Sequence, residues 1–243
     1  MTQYKAPVRD MRFVLNEVLN LDEHYQKLGL DEVNSDLINA FLEEGAKFSE
    51  NELAPLNRSG DEEGCHWNDG VVTTPKGFKE AYAKYVEGGW PAMGGHPEFG
   101  GQGLPGSAGI AISEMTGTAN WSWSMYPGLS HGAVATIEEH GTPEQQSTYL
   151  PKLISGEWTG TMCLTEPHCG SDLGTLKTKA EPQADGSYKL YGTKIFISAG
   201  EHDMAENIVH IVLARLPGAP EGTKGISLFI VPKFMVNADG SLG

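Results

Sequence analysis

The sequence lacks several features that would point to particular classes of protein. It contains three cysteines, Cys65, Cys163 and Cys169, which are too few for a disulfide framework and do not have metal-ligand spacing. No apolar run approaches the roughly 20 residues that a membrane-spanning helix needs. The first residues also have no apolar segment typical of a secretion signal. These absences predict a cytoplasmic protein without a membrane span.

Basic residues are also scarce. The chain has 17 lysines and arginines against 32 aspartates and glutamates, so its formal net charge is −15. Such a charge repels phosphate backbones and anionic membrane surfaces, which argues against nucleic acid as a partner. The eight histidines do not have metal-ligand spacing, because His131 and His140 lie about two and a half helical turns apart and cannot converge on one ion. We therefore expect no metal site.

The residues that are present predict a globular chain whose first part is helical. Its 243 residues are 39% hydrophobic and can bury a substantial core, as one large domain or two modest ones. The run Thr142-Pro143-Glu144-Gln145 is a strong helix start, with an N-cap hydroxyl and proline at the first helical position, and that helix should stop at Gly156. Apolar spacing and composition predict further helices at residues 31–53, from about 75, at 105–119 and at 128–140.

Runs of β-branched and aromatic residues replace the helical pattern after Gly156. They are separated by Gly, Pro, Asp and Asn and predict strands. Asp185-Gly186 should join two of the segments, 177–181 and 187–190, as a hairpin. The remaining strand predictions are residues 159–165, 187–198, 208–216 and 225–232.

This change of pattern predicts an α+β fold. We expect an amino-terminal extension (1–30), an all-helical domain (31–157) and a mainly antiparallel β domain (158–243). Residues 235–243 follow the last predicted strand and are too few to cover the far face of the sheet. The β domain is therefore expected to be incomplete, and the chain to be cut short with no carboxy-terminal helical domain.

One glycine motif matches a nucleotide-binding pattern only superficially. Gly101-x-Gly103-x-x-Gly106 fits the dinucleotide-binding expression, whose mechanism requires a buried strand before the first glycine. The preceding residues 93–100 are rich in Gly and Pro and cannot form that strand. We therefore reject a Rossmann interpretation.

The segment from Thr161 to Asp172 is the most informative part of the sequence. A predicted strand ends at Thr165, Pro167 prevents its continuation, and Gly170-Ser171-Asp172 forms a tight turn. Backbone donors and two hydroxyls are thus presented at the carboxyl end of a strand, which suits a ring system rich in hydrogen-bonding groups or a pyrophosphate. An ordinary Pro-Gly turn is the alternative. Residues 194–200 repeat the pattern of aromatic, apolar and hydroxyl side chains before a turn.

Several ordered motifs resemble one family. The runs TMCLTEPHCGSD, YGTKIFISAG, IVLAR and GISLFIVP, at these spacings, resemble the middle β domain of the acyl-CoA dehydrogenase family. The upstream runs GGWPAMGGHPEFGGQGLP and HGTPEQQSTYLPKLISGEWTGTMCLTEP resemble its helical amino-terminal domain. YKAPVRDMRFVLNEVLN and GEHDMAENIVHIVLAR further resemble the subgroup that includes 3-methylmercaptopropionyl-CoA dehydrogenase. The resemblance covers the chain from about residue 30.

The resemblance implies FAD as cofactor and assigns residues to its site. Phe196 stands where many members of the family carry Trp beside the flavin ring, and Ser198 where many carry Thr near flavin N5. Ser171 would lie near both the cofactor pyrophosphate and the acyl-CoA substrate. The cofactor-binding residues implied in this way are Met162, Leu164, Thr165, Gly170, Ser171, Phe196 and Ser198.

The implied activity is oxidation of an acyl-CoA thioester at its α and β carbons. Electrons would pass to electron-transfer flavoprotein or a similar acceptor, and the full-length protein would be a homo-oligomer. The family's base is a Glu of the carboxy-terminal domain, which would lie beyond Gly243, so we assign no catalytic residue in this chain and expect it to be inactive alone. Glu166 is expected to tie its loop together, and Glu114 has no placed contacts. Two alternatives are a non-catalytic module that binds flavin, CoA or a partner protein, and an acyl-CoA oxidase of the same fold.

Overall fold

The structure is a computed structural model that describes residues 4–237 and 240–243. The chain forms two compact units that divide between Met125 and Tyr126, within a long helix. None of the described helices is both long enough and apolar enough to cross a bilayer. In chain order the α-helices are α1 (Val8–Arg12), α2 (Leu21–Lys27), α3 (Ser35–Phe48), α4 (Ala54–Glu63), α5 (Phe78–Glu87), α6 (Gly106–Ala119), α7 (Trp121–His140) and α8 (Pro143–Ser155). The strands are β1 (His66–Asn68), β2 (Val71–Thr73), β3 (Trp158–Cys163), β4 (Lys179–Pro182), β5 (Tyr188–Tyr191), β6 (Asn207–Ala214) and β7 (Ser227–Pro232).

The core of the first unit is a cluster of aromatic rings. Trp123 is fully buried, and its ring centroid lies 5.4 Å from that of Tyr85 and 5.9 Å from that of Phe48. Its indole Nε1 donates a hydrogen bond to the Phe78 carbonyl at 3.1 Å, so the one polar atom of the side chain is satisfied inside the core. Gly45 lets α3 approach α6, because a Cβ at this position would lie 2.6 Å from Ile112 Cδ1. Small residues therefore set the helix spacing in this unit.

The glycine-rich segment before α6 is held by its own backbone. The residues directly before Gly101 form a short 3₁₀-helix, Pro97–Phe99, and not a strand, in agreement with the sequence prediction. A Cβ on Gly101 would lie 1.9 Å from the Gly95 carbonyl oxygen, and the Gly103 N–H donates to that same carbonyl at 3.0 Å. The glycines are thus explained by a close backbone approach within the loop, which confirms that this is not a Rossmann motif.

In the second unit, α7 and α8 lead into the sheet. The predicted capping box is present: Gln145 N donates to Thr142 Oγ1 at 3.3 Å, and Thr142 N donates to Gln145 Oε1 at 2.9 Å. The helix ends at Gly156 in the left-handed conformation, as glycine after a helix favours. Gly160 in β3 faces α7, because a Cβ there would lie 2.4 Å from Ala133 Cβ.

The sheet of the second unit has the order β3-β6-β7. β6 pairs parallel with β3 and antiparallel with β7, while β4 and β5 form a separate antiparallel hairpin. β6 is the central strand, and nearly all its residues are buried, as a strand covered on both faces requires. β4 approaches the end of β6 through two backbone bonds, from Ala180 N to Arg215 O and from Arg215 N to Thr178 O, both 2.9 Å.

The structure confirms a helical first part followed by a sheet-containing part, with mainly antiparallel pairing. It adds one short hairpin, β1–β2, and one parallel pair, β3–β6. Some predicted limits are wrong. The first long helix starts at Ser35 because Asn34 caps it, and it continues as a π-helix over Ser49–Leu53. The strand predicted over 187–198 ends at Tyr191, because the chain then turns towards the end of β3 instead of pairing.

Candidate functional site

The first turn of the candidate site, residues 164–172, begins where β3 ends at Cys163. Glu166 and Cys169 exchange backbone hydrogen bonds of 2.8 and 3.1 Å, which close the turn around Pro167. The Glu166 side chain points inward and accepts hydrogen bonds from three donors of the segment before β4. They are Lys177 N at 2.8 Å, Thr178 N at 2.9 Å and Thr178 Oγ1 at 2.5 Å.

Glu166 is an ionised anchor. Burial raises the pKa of its carboxyl, but hydrogen bonds from the Thr178 hydroxyl, from the backbone and from Lys194 outweigh that effect and lower the pKa to about 2. Both carboxylate oxygens already accept hydrogen bonds, and only 3% of the side chain is exposed. Such a group cannot take up a proton from a substrate at neutral pH. The structure therefore supports the expectation that Glu166 ties its loop together and is not a base.

The second turn, residues 194–200, is joined to the first by three bonds. Ile195 N donates to the Thr165 carbonyl at 2.9 Å. Lys194 Nζ donates to the Leu164 carbonyl at 3.1 Å and pairs with Glu166 Oε1 at 2.9 Å. The two informative segments of the sequence, about thirty residues apart, thus lie side by side.

Two residues of the second turn have unusual backbones. Phe196 has φ = 55° and Ala199 has φ = 54°, the left-handed region that costs a residue with a Cβ about 1 kcal/mol or more. Phe196 gains little in return from packing, since 88% of the residue is exposed. An exposed aromatic ring held in a strained conformation is typical of a residue that serves a ligand.

The predicted cofactor residues lie on or directly beside the two turns, whose exposed side is a candidate binding surface. Leu164 is the exception, because its partly buried side chain packs against Cys169, Leu176 and Leu213. Met162 is 40% exposed although its neighbours in β3 are buried. Gly170 lies against Thr165, whose Cγ2 would be 3.4 Å from a Cβ at position 170. The hydroxyls of three residues make no hydrogen bond to any described residue and remain available to a ligand; they belong to Thr165, Ser171 and Ser198. The structure records no contact between Thr165 and Ser198 themselves. Ser198, predicted at the end of a strand, lies in a turn, and the preceding strand β5 ends at Tyr191.

These features fit the FAD that the sequence resemblance implies. A flavin presents a flat conjugated face and a rim of hydrogen-bonding atoms, and the surface offers an exposed ring at Phe196 and unpaired hydroxyls. Gly170 is partly exposed and Ser171 is exposed, so a ligand can reach the backbone of this turn. The residue assignments themselves remain predictions.

Sequence reasoning missed two cations that hold these turns. Lys194 has been described above. Arg215, after the end of β6, donates to four carbonyl oxygens: its Nε to Leu176 and its Nη atoms to Gly174, Pro220 and Gly222, at 2.8–3.1 Å. It binds the segment after the Ser171 turn to the loop before β7. The run IVLAR, in which an arginine follows an apolar strand, is the sequence signal that could have identified Arg215.

One group of side chains near the first turn has metal-ligating types. Ligand atoms of Glu166, His168 and Cys169 lie within 4.8 Å of one another. Glu166 Oε2 already accepts the Lys177 amide hydrogen, and the His168 ring nitrogen lies 3.0 Å from the Thr175 carbonyl, a contact made by a protonated nitrogen. The groups are therefore occupied in the turn, and we assign no metal to them.

Comparisons with known proteins match both units. Residues 35–157 match the family model for the acyl-CoA dehydrogenase N-terminal domain, and residues 161–240 match that for the middle domain. A 3-methylmercaptopropionyl-CoA dehydrogenase from Ruegeria pomeroyi is 44% identical over 98% of this chain and 40% of its own length. A butyryl-CoA dehydrogenase from Syntrophomonas wolfei is 39% identical over 99% of this chain and 40% of its own length. The chain thus spans well under half of these relatives.

A similar solved structure carries a cofactor. An acyl-CoA dehydrogenase from Bacillus anthracis, solved in complex with FAD, has 27% identity and a TM-score of 0.64. The match covers 83% of this chain and 31% of that one.

Proposed function

This chain belongs to the acyl-CoA dehydrogenase family, and we propose that it forms the flavin-binding part of an enzyme that oxidises acyl-CoA thioesters at the α and β carbons. One observation carries the proposal: Lys194 and the Ile195 amide hold two turns together, and these turns carry the exposed ring of Phe196 and three hydroxyls that make no hydrogen bond to a described residue. FAD is the cofactor that this surface would hold, and it supplies the acceptor for the electrons of the thioester.

The residues of this chain bind and orient. Thr165 and Ser198 would donate hydroxyl hydrogen bonds to the rim of the flavin, and Leu164 and Met162 would lie beside it. Phe196 would supply an aromatic face for the ring. Gly170 and Ser171 would offer backbone N–H groups to the diphosphate, and Ser171 would also serve the acyl-CoA.

No described residue is assigned as the base for the α-proton. Glu166 is excluded because its carboxylate is buried, ionised and fully engaged. Glu114 is exposed on α6. We therefore propose that residues 1–243 alone bind FAD weakly and do not turn over substrate, since a missing general base costs about 10²–10⁴-fold in rate.

We further propose electron-transfer flavoprotein or a similar acceptor as partner, a homo-oligomeric native protein and a cytoplasmic location. Family membership supports the acceptor and the oligomer, and the cytoplasmic location rests on the sequence alone.

The test of the flavin surface is the double variant Thr165→Val and Ser198→Val in the native protein. It should lose FAD or shift the flavin absorption bands, because two hydroxyl donors are replaced by isosteric or similar apolar groups. Thr193→Val, on the same loop but outside the surface, should leave both unchanged. Identical flavin content and spectrum in the double variant would count against the assignment.

The test of the reaction is anaerobic mixing with acyl-CoAs of several chain lengths. The native protein should bleach its flavin upon mixing, and residues 1–243 with added FAD should not. No bleaching in either would favour the non-catalytic binding module. Bleaching followed by rapid reoxidation in air would favour an oxidase.

A further inference from the structure

The ion pair between Lys194 and Glu166 is almost completely buried. Only 11% of the Lys194 side chain and 3% of the Glu166 side chain are exposed, and their Nζ and Oε1 atoms lie 2.9 Å apart. Removing two charges from water is expensive, so a buried ion pair commonly adds no more stability than a well-packed apolar pair. Its presence at this position calls for another explanation.

The geometry of the pair points to positioning. Glu166 is fixed to the segment before β4 through Lys177 N and Thr178, so its carboxylate belongs to a rigid frame. Lys194 extends from the second turn to that carboxylate and also to the Leu164 carbonyl. A single ammonium group therefore ties the second turn to two points of the first, Leu164 and Glu166.

We propose that Lys194 and Glu166 are positioning residues that set the distance between the two flavin-flanking turns and the electrostatic potential at the bound flavin. The inference rests on the proposed function. Both charges lie close to predicted flavin contacts: Glu166 follows Thr165 in the chain, and Lys194 Nζ donates to the carbonyl of Leu164. The pair is electrically neutral as a whole, so the flavin experiences neither charge alone.

This arrangement predicts potential shifts of opposite sign for the two single variants. In Lys194→Met, Glu166 keeps its Lys177 and Thr178 donors and therefore its charge, and the uncompensated carboxylate disfavours the more electron-rich, reduced cofactor. The reduction potential should fall. In Glu166→Gln the ammonium is left uncompensated, and the potential should rise. The double variant is neutral again and should return close to the wild-type value.

The experiment measures the midpoint potential and the FAD dissociation constant of the native flavin-loaded protein and these variants. Lys194→Met should weaken FAD binding about tenfold, because the second turn loses the bonds to Leu164 and Glu166 that preorganise it for the cofactor. Lys177→Met is the matched control, because Lys177 contributes only its backbone N–H to Glu166 and its side chain is exposed. Its potential and FAD affinity should equal those of the wild type.

A merely structural role would shift both single variants in the same direction or not at all, and either result overturns the proposal. Should a single variant fail to retain FAD, urea unfolding decides: the double variant must then be more stable than either single variant, because it leaves no unpaired buried charge. A double variant no more stable than both singles overturns it. If the wild-type protein itself binds no FAD, the proposed function has failed, a result distinct from FAD binding without opposite potential shifts.

Discussion

The two turns of the candidate site resemble each other in sequence but are stabilised differently. The first turn, 164–172, is closed by its own backbone bonds and anchored by the buried Glu166. The second, 194–200, contains two strained residues, exposes Phe196, and is held mainly by bonds to the first. One turn is therefore built by its local structure, and the other takes its conformation from its neighbour. This difference predicts that damage to the first turn spreads to the second, while the second can be altered alone.

The largest effect should come from removing the anchor of the first turn. Glu166→Ala leaves the ammonium of Lys194 and the donors of Lys177 and Thr178 without their buried acceptor. We expect the free energy of unfolding, measured in urea, to fall by about 3–5 kcal/mol. Glu181→Ala, at an exposed position of β4, should change it by less than about 0.5 kcal/mol. A loss below about 1 kcal/mol at Glu166 would show that the first turn does not depend on it.

The next effect concerns the segment just after the second turn, where His202 is buried. Its Nδ1 accepts the Met204 N–H at 3.1 Å, so the proton is on Nε2, which donates to Thr159 Oγ1 at 2.9 Å. Burial lowers the pKa of His202 to about 4; the nearby charges have smaller effects, Glu201 raising the pKa and Lys233 lowering it. Protonation would place a hydrogen on Nδ1 facing the Met204 amide.

The folded state therefore binds fewer protons at His202 than the unfolded state between pH 6.5 and about 4. The contribution of neutral His202 to the free energy of unfolding is complete above pH 6.5, and it should fall by roughly 3 kcal/mol as the pH decreases to 4. The corresponding loss at Glu166 lies lower, between pH 4.5 and about 2, because its folded-state pKa is depressed. The difference in unfolding free energy between wild type and His202→Gln should shrink as the pH is lowered from 6.5 to about 4, because only the wild type loses stability at this position. Parallel curves there would contradict the assignment.

A smaller effect should follow from Gly192→Ala, between β5 and the second turn. The new Cβ would lie 2.3 Å from Thr178 Oγ1, the hydroxyl that donates to Glu166. We expect a loss of about 1–3 kcal/mol in unfolding free energy, typical of overpacking. Gly132→Ala on α7, where a Cβ meets open space, should be neutral or stabilising by about 0.5–1 kcal/mol. Equal stabilities of the two variants would argue that the second turn can move away from Thr178.

The smallest effect should come from the second turn alone. Phe196→Gly relieves a left-handed backbone and loses little burial, so the protein without cofactor should keep its stability or gain up to about 1 kcal/mol. FAD affinity should nevertheless fall, because stacking on an aromatic ring is worth about 1–3 kcal/mol. Ala199→Gly is the control, since it relieves the same kind of strain without removing a ring and should leave FAD affinity unchanged. A loss of FAD affinity of the same size in both variants would indicate that the backbone, and not the ring, matters.

Much of the fold was predictable because its signals are local. The Thr142 capping box, the stop at Gly156 and the hairpin around Asp185-Gly186 depend on hydrogen bonds within a few residues, and the structure has all three. The loop-tying role of Glu166 was also predictable, because Pro167 and Gly170 mark the turn that contains it. The parallel pairing of β3 with β6 was not, since it joins segments about fifty residues apart and carries no local signature.

The sequence by itself determined the order of helices and strands, the family and the two turns to which the cofactor residues are assigned. Only the tertiary structure decided what holds those turns. Residues 195–198 have the composition of a strand, yet they form a turn because Lys194 reaches Glu166 and Ile195 bonds to Thr165. The roles of Lys194 and Arg215 depend on carbonyl oxygens and a carboxylate brought close from distant parts of the chain. Periodicity and turn propensity arise from neighbouring residues, whereas a buried charge acquires its role from partners that only folding brings within hydrogen-bonding distance.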